Sequence, residues 1–553
     1  MADRPNILFI MTDEQRGDCL GCYGNPVLRT PHIDSIAQGG VRFNRGYVQN
    51  PMCMPARMAI MTGRYCSEQG CNINCTGIPK HEQEHTFMHY LSDAGYYTAA
   101  VGKMHMMPKW GPFGFRYLDI TDGQGDASNQ YTTYLRAKGL LGRQHEAKGE
   151  RLPFGIYTNA LPAEENIDAF IGRRAARWLE QWQGEEPFML WVSFCNPHFP
   201  FDPPEPYDTM YDPADVPLPV WKDGELATKP PQLKLLQERG YDRADEPLMH
   251  KMVANYYGLI SLIDDQVGEV LEVLERKGLA DNTLIAFCSD HGDHLGDHHL
   301  LQKSGVTFYE GSVRVPYLLR FPASFPQGAV CEELVETIDL PATFLDVAGV
   351  DIPPTMQGRS LVGLAEGQIG DWRDDAFSEI DLRINPLMHG PRDPNSRDYV
   401  AMITTKDWKY VHFPTLGYGE LYDLANDPHE LDNLFFEPEY ADKIAEMRLR
   451  MLNRFMFNQR PYIGERTATF GEHYATDYLP PGGKSAGVEF APPEPVWARH
   501  GRSCGQGWRG RGARGRQTGA RQNASATDRG IWHGRLPTHS LPDPSNVRQE
   551  DSR

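Results

Sequence analysis

The chain has 553 residues, which is too long for a single ordinary domain. Its hydrophobic fraction of 40% and charged fraction of 23% are those of a globular protein. The net charge of −19 argues against nucleic acid as a partner. A chain this acidic needs a local group of cations if its substrate is an anion.

No stretch of the sequence reaches the roughly 20 apolar residues that a membrane-spanning helix requires. The apolar run near the N-terminus, Ile7 to Met11, is short and leads into acidic residues, unlike a signal peptide. These features predict a cytoplasmic protein with no membrane partner. The ten cysteines are expected to be thiols, and the single Cys19–Cys22 pair is not enough to indicate a zinc or redox site.

Four apolar segments, each followed by polar residues, predict strands of a parallel sheet. In chain order they are Asn6–Met11, Tyr96–Gly102, Pro187–Phe194 and Thr283–Ser289. Helical patterns lie between them, at Thr86–Gly95 and at Tyr256–Gly278, where leucine, isoleucine and valine recur at helical spacing. Alternating strands and helices indicate an α/β fold with helices on both faces of the sheet.

Polar side chains follow each of these predicted strands. In chain order they are Asp13, then Lys103 and His105, then His198, then Asp290 and His291. Because ligands of such sheets bind beyond the carboxyl ends of the strands, we expect these side chains to share one site. Carboxylates and an imidazole there predict a divalent-metal site, with Glu14 as a further candidate ligand.

The segment Cys53–Arg64 predicts a short helix. Pro55 suits its first turn and Gly63 its end. Cys53 then lies just before the first turn, where unpaired N–H groups favour a thiolate or a substrate anion, and Arg57 adds positive charge. A small buried thiol beside a core helix is the alternative for Cys53 taken alone. With Lys103, His198 and Lys303 nearby, the set suits a sulfuryl or phosphoryl group.

The texture of the sequence changes after about residue 370, to short antiparallel strands, a turn and a final helix. We predict a catalytic α/β domain over residues 1–370 and a smaller α+β domain over residues 371–498. Residues 499–553 are rich in Gly and Arg, and their composition predicts a disordered tail.

Several of these segments resemble the sulfatase family. "CMPARMAIMTGR" resembles its Cys-x-Pro-x-Arg core, and "GKMH", "NPHFPF", "SDHGDHLGDHHLLQKS" and "GELYDLANDPHELDNL" resemble later segments. The matches follow the family's order over about residues 5–455. The resemblance implies an alkaline-phosphatase-like, mostly parallel sheet flanked by helices, with a smaller C-terminal α+β domain.

The resemblance also implies the chemistry. In this family a formylglycine-generating enzyme oxidises the core cysteine to formylglycine (3-oxoalanine), so Cys53 is the expected precursor of the nucleophile. One hydroxyl of the hydrated group attacks sulfur, and loss of the proton from the other expels sulfate. The implied metal ligands are Asp13, Glu14, Asp290, His291 and residue 53.

Further roles follow from the same motifs. Arg57 and Lys103 are expected to hold the formylglycine, and Lys103, His198 and Lys303 to grip the sulfate oxygens. His105 is expected to assist proton transfer at the diol. The leaving oxygen is expected to receive its proton from His198 or Lys303.

The chain departs from the family pattern at three positions. Glu14 stands where many members have Asp, His291 where many have Asn, and Ala56 where Ser is common. The Asp290–His291 pair resembles the choline-sulfatase and phosphonate-monoester-hydrolase branches. Calcium is therefore the expected ion, with manganese as the alternative.

Three functions remain open from the sequence. The leading one is a sulfuric ester hydrolase for a small-molecule or saccharide sulfate, which the Lys103–His105 pattern favours. The second is a phosphonate monoester or phosphodiester hydrolase, and the third a non-catalytic anion-binding protein in which Cys53 stays a thiol. A homo-oligomer is left open.

Overall fold

The computed structural model describes residues 4–74, 84–123, 129–229, 245–303, 307–384, 399–414 and 417–458. All of them fall within one compact unit, Met1–Tyr462. The predicted tail at 499–553 and the last part of the predicted C-terminal domain, 459–498, lie outside the described residues. The domain boundaries therefore stay predictions.

The described residues contain two sheets. Their strands are β1 (Asn6–Asp13), β2 (Val41–Tyr47), β3 (Tyr97–Gly102), β4 (Tyr117–Ile120), β5 (Phe188–Pro197), β6 (Thr283–Ser289), β7 (Arg314–Val315), β8 (Tyr317–Arg320), β9 (Ala329–Glu336), β10 (Ala376–Asp381), β11 (Tyr399–Thr404), β12 (Trp408–Phe413) and β13 (Tyr418–Asp423). The first nine strands form one sheet and the last four form the other.

Helices in the same ranges cover the sheets. They are α1 (Pro31–Gln38), α2 (Cys53–Thr62), α3 (Cys66–Gln69), α4 (Phe87–Asp93), α5 (Gln130–Ala137), α6 (Ile167–Gln181), α7 (Glu246–Arg276), α8 (Glu310–Val313), α9 (Asp339–Val347), α10 (Val362–Ala365) and α11 (Ala441–Asn458). In these described ranges no helix is both long enough and apolar enough to cross a membrane. The cytoplasmic location stays a prediction.

The large sheet is mixed, with a parallel centre. Its strand order is β4-β3-β5-β1-β6-β8-β2-β7, and β9 pairs with β2. Neighbours from β4 to β6 are parallel, whereas β8 runs antiparallel to β6 and β2. The four strands predicted from the sequence, β3, β5, β1 and β6, are consecutive in this order. Their carboxyl ends therefore meet at one edge of the sheet.

Strand β1 has apolar side chains on both faces of the sheet, and helices cover each face. Leu8 and Ile10 face one core and Ile7, Phe9 and Met11 face another, because successive side chains point to opposite faces. Helices α1, α6 and α7 contribute to the first core, and α2, α4 and α9 to the second. The α/β prediction is confirmed.

The C-terminal sheet is antiparallel, in the order β10-β11-β12-β13. Helix α11 packs on it through Ile444, Met447 and Met451, which share a core with Tyr410. The predicted strands, turn and final helix are thus present.

Two predicted helix starts differ from the structure. Helix α7 begins at Glu246, ten residues before the predicted Tyr256, because Asp245 caps it by accepting the N–H of Leu248. Helix α2 begins at Cys53 itself and not after it, with Met52 as the capping residue. Gly63 ends α2 with φ +66°, as its position predicts.

Candidate active site

The carboxyl edge of β3, β5, β1 and β6 gathers the predicted polar residues. Lys103 directly follows β3, His198 directly follows β5 and Asp290 directly follows β6, while Asp13 is the last residue of β1. Adjacent parallel strands place these side chains side by side, although they lie up to 277 positions apart in the chain. The edge is a compact polar site beyond the apolar centre of the sheet.

Cys53 lies at the centre of this site. The residue is 1% exposed, and its Sγ lies 3.1 Å from His291 Nε2, 3.4 Å from Lys303 Nζ and 3.7 Å from Asp13 Oδ1. The alternative for Cys53, a small buried thiol beside a core helix, does not describe this environment. The sulfur contacts a carboxylate, an ammonium and an imidazole.

Arg57 follows Cys53 by one helical turn, so both side chains project from the same side of α2. The guanidinium is fully buried and donates to Asp290 Oδ2 at 2.7 Å and to Asp13 Oδ2 at 2.9 Å. It also donates to the Lys103 carbonyl and to Ser193 Oγ. Arg57 therefore fixes the orientation of both aspartates. Its contact with a modified residue 53 stays a prediction.

The other oxygen of each aspartate faces the site. Asp290 Oδ1 accepts the N–H groups of Glu14 and His291 at 3.2 and 2.9 Å and lies 3.7 Å from His291 Nε2. His291 Nδ1 lies 2.8 Å from the Gly292 carbonyl, which can only accept. Nδ1 therefore carries a proton, and Nε2 is the nitrogen that faces Cys53 and Asp290.

These residues fit a divalent cation. The inward atoms of Asp13, Cys53, Asp290 and His291 all lie within 4.8 Å of one another. Carboxylate oxygens and a correctly protonated imidazole are the donors that such ions take, and the hydrogen bonds behind them fix ligand orientation.

Glu14 belongs to a neighbouring group. With Asp13 and His198 it forms a second set of ligand atoms within 4.8 Å of one another. Glu14 Oε2 lies 2.8 Å from Lys303 Nζ and 3.3 Å from His198 Nε2. His198 Nδ1 donates to the Phe199 carbonyl. Each nitrogen of His198 thus faces an acceptor, an arrangement that satisfies a ring protonated on both nitrogens.

His105 lies in a strained loop close to Cys53. Its φ is +50°, a left-handed conformation that non-glycine residues rarely adopt. Asp122 Oδ1 accepts the N–H groups of both Met104 and His105, at 2.8 and 2.9 Å. This pair of hydrogen bonds offsets the strain and holds the loop in place.

The cations of the site dominate its electrostatics. Burial alone would raise the pKa of the Cys53 thiol, but Lys303, Lys103 and His291 hold that pKa well below its ordinary value. Burial would also raise the pKa of Asp13, yet Lys103, His198 and Arg57 hold it far below the usual range. Despite its burial, Lys303 has a raised pKa because Cys53, Glu14 and Asp13 face it. Such perturbed groups cluster at functional sites.

Three further residues of the site were missed by the sequence analysis. Ser193 accepts from Arg57, Asp122 supports His105, and Asp293 accepts the N–H of Lys303 at 3.3 Å. Burial and the Glu14 carboxylate raise the pKa of Asp293 far above its ordinary range. Asp122 and Asp293 each come shortly after a strand, and that position is the signal that could have found them.

Cys19 and Cys22 do not join this site. Both keep free thiols, and neither belongs to a metal-ligating group among the residues that the structure describes.

An α/β sheet that carries carboxylates, imidazoles and several buried cations at one edge defines a class of protein, a hydrolase of tetrahedral oxyanion esters. Comparisons with known proteins agree. The family described as Sulfatase matches residues 5–350, and the one described as N-sulphoglucosamine sulphohydrolase, C-terminal, matches residues 296–456.

Individual relatives extend over most of the chain. An arylsulfatase of Clostridium perfringens is 32% identical, over 83% of this chain and 96% of the relative. A choline-sulfatase of Rhizobium meliloti is 29% identical, over 79% and 83%. The crystal structure of a phosphonate monoester hydrolase of Agrobacterium radiobacter superposes with a TM-score of 0.73 and 27% identity, over 82% of this chain and 96% of that one.

The chain belongs to the sulfatase family, and it is a sulfuric ester hydrolase. Family membership implies a divalent metal ion and a formylglycine made from a cysteine. The anion-binding alternative without catalysis is therefore set aside.

Proposed function

We propose that the chain hydrolyses a sulfate monoester with residue 53 as its nucleophile, after Cys53 has been oxidised by a formylglycine-generating enzyme. The observation that carries this proposal is the position of Cys53 Sγ, within 3.7 Å of His291, Lys303 and Asp13. A hydrated formylglycine there has one hydroxyl to attack sulfur and a second whose deprotonation expels sulfate.

Asp13, Asp290, His291 and residue 53 are the proposed ligands of a divalent ion, calcium in the first instance and manganese as the alternative. When bound, the ion supplies positive charge that favours ionisation of the attacking hydroxyl and offsets charge on the sulfuryl oxygens. Arg57 keeps Asp13 and Asp290 in place. Glu14 contacts Lys303 and His198, so its direct ligation stays a prediction that metal analysis of Glu14→Gln tests.

The remaining residues are proposed to act on the ester and on protons. Lys103 and Lys303 each contact a carboxylate and lie at the open side of the site, with side chains 8% and 15% exposed. They are placed to bind sulfate oxygens together with His198. His198 Nε2 is oriented to donate to the leaving oxygen, with Lys303 as the alternative donor. His105 assists proton transfer at residue 53.

The local charge supports an anionic substrate. Three carboxylates, Asp13, Glu14 and Asp290, face three permanent cations, Arg57, Lys103 and Lys303. A bound divalent ion would make this group net positive within a chain whose net charge is −19. The relatives include an arylsulfatase and a choline-sulfatase. A panel of aryl, choline and saccharide sulfates is therefore the substrate test.

Two measurements test the proposal. The peptide that contains residue 53 should be lighter than its cysteine form, because sulfur is replaced by oxygen and two hydrogens are lost. Turnover should rise with the modified fraction, and Asp290→Ala should lose both the metal and activity. Full activity of a chain with a thiol at residue 53, or of metal-free Asp290→Ala, contradicts the proposal.

A phosphonate monoester hydrolase remains the second candidate, since the phosphonate monoester hydrolase structure from Agrobacterium radiobacter matches with a TM-score of 0.73. A sulfate and a phosphonate ester of the same alcohol separate the two functions. The larger kcat/KM identifies the native reaction, because the leaving group is then identical. The modifying enzyme as a transient partner and a homo-oligomer also stay predictions.

A further inference from the structure

We infer that the unmodified chain, in which Cys53 is not oxidised, has a metal site that binds a thiophilic divalent cation such as Zn²⁺ or Cd²⁺. The ligands are Cys53 Sγ, His291 Nε2 and one oxygen each of Asp13 and Asp290. The inference rests on the proposed function in one respect, since the modified chain would use the same residues for its own ion. Conversion of Cys53 would then change which ion the site prefers.

The separations between these atoms are those of ligands around a single ion. Sγ lies 3.1 Å from His291 Nε2 and 3.7 Å from Asp13 Oδ1, and His291 Nε2 lies 3.7 Å from Asp290 Oδ1. Tetrahedral Zn²⁺ has bonds of about 2.3 Å to sulfur and about 2.0–2.2 Å to nitrogen and oxygen, which separates its ligands by about 3.3–3.6 Å. Shifts of a few tenths of an ångström would close the site around such an ion.

The groups behind these atoms are already arranged as in a metal site. Arg57 binds Oδ2 of both aspartates and leaves Oδ1 of each facing inward. The Gly292 carbonyl holds a proton of His291 on Nδ1, so that Nε2 is the nitrogen directed at the proposed ion. Hydrogen bonds of this kind fix ligand orientation and tune affinity at metal sites.

Ligand chemistry decides the type of ion. Sulfur and imidazole nitrogen favour zinc-like ions, whereas calcium takes oxygen ligands almost exclusively. Replacement of the thiol by an oxygen-bearing group removes the one soft ligand and leaves an oxygen-rich site. The same pocket is therefore thiophilic before modification and oxygen-selective after it.

Binding of the ion needs no oxidant. The proton shared between Cys53 Sγ and His291 Nε2 leaves to solvent, and bonds from the sulfur and from Nε2 to the metal form. The aspartates stay ionised, and Nδ1 of His291 keeps the proton that it donates to the Gly292 carbonyl.

The test uses the full chain produced without the modifying enzyme, with the thiol at residue 53 verified by mass. Titration with Cd²⁺ should give an ultraviolet thiolate-to-metal charge-transfer band that saturates at one ion per chain. Millimolar Ca²⁺ should not remove the band. The fully modified chain should not show it.

Variants separate Cys53 from the other thiols. Cys53→Ser should lose the band and weaken Cd²⁺ binding by more than the roughly 10- to 100-fold that loss of a supporting hydrogen bond costs at a metal site. His291→Gln should weaken binding and shift the band. Cys22→Ser is the matched control, since its thiol lies outside the site, and it should keep the band. Circular dichroism verifies that each variant is folded.

A band that persists in Cys53→Ser, or one-to-one binding by the parent without any band, overturns the inference. These outcomes are independent of catalysis. A modified chain that fails to hydrolyse sulfate esters would overturn the proposed function and would not affect the inferred thiolate metal site. A missing band in the unmodified chain would overturn the metal site and would not affect the proposed function.

Discussion

Two buried clusters of charge in this chain use the same types of side chain in different ways. At the carboxyl edge of the large sheet, Lys303 contacts Glu14, and its side chain is 15% exposed. Between β12 and α8, Lys409 contacts Glu310 and Glu430 at 2.8 and 2.7 Å and is fully buried. Both lysines sit among carboxylates, yet only one lies where a ligand can reach it.

The difference lies in how the ammonium protons are used. Lys409 Nζ has three acceptors in the protein, the two carboxylates and the Phe308 carbonyl at 2.9 Å, which matches its three protons. Lys303 Nζ has two hydrogen-bond partners, the Glu14 carboxylate and the sulfur of Cys53. A cation whose protons are all bound by the protein holds elements together, whereas a cation that faces a reactive atom can act on a substrate.

Cys53→Ala should have the largest effect on turnover. Removal of a hydrolase nucleophile costs on the order of a millionfold in kcat, so activity should fall to background. The fold should persist, because the thiol lies at a polar edge and not in either hydrophobic core. Initial rates and a thermal melt check this together. Substantial turnover in the variant would mean that water or another group is the nucleophile.

Lys303→Ala should have the next largest effect. A preorganised donor to transition-state charge is worth on the order of 100- to 1000-fold in kcat, and KM should change less. Steady-state kinetics on a sulfate ester measure the two constants separately. A change confined to KM would make Lys303 a substrate-binding residue only.

Asp122→Ala should have a smaller effect, through the position of His105. Without the two hydrogen bonds from the Met104 and His105 amides, the backbone of His105 should relax from its left-handed φ of +50° to a common conformation. Displacement of a catalytic group by about 1 Å costs up to roughly 100-fold. Asp122→Asn keeps an acceptor oxygen and should restore most of kcat. Equal losses in both variants would indicate that the charge of Asp122, and not its hydrogen bonds, is what matters.

The sequence predicted the site best where local pattern and topology coincide. An apolar strand followed by a polar residue is visible in the sequence, and Asp13, Lys103, His198 and Asp290 were found in this way. The parallel α/β class places the carboxyl ends of the four strands at one edge, which is why these distant residues could be expected to meet.

Other features depend on contacts that no local pattern contains. Strand β4 has four residues at the edge of the sheet, so its sequence gives almost no periodic signal, and Asp122 beyond it was missed. The orientation of His291 depends on one carbonyl, and the role of Arg57 behind Asp13 and Asp290 depends on three separate segments. Lys303 lies in a loop; the sequence analysis named it among the cations of the site, and the family resemblance gave its expected role.

Lys409→Met should have the smallest effect on turnover. It tests whether the buried cluster around Lys409 supports stability only. It leaves Glu310 and Glu430 buried without their cation, which should destabilise the fold by about 3–5 kcal/mol. Folded molecules should keep parental kcat, because the cluster does not face residue 53. Denaturant unfolding and active-site-normalised rates measure the two effects, and Lys409→Met with Glu310→Gln and Glu430→Gln should regain stability. A fall in kcat comparable to that of Lys303→Ala would show that the closed cluster also supports catalysis.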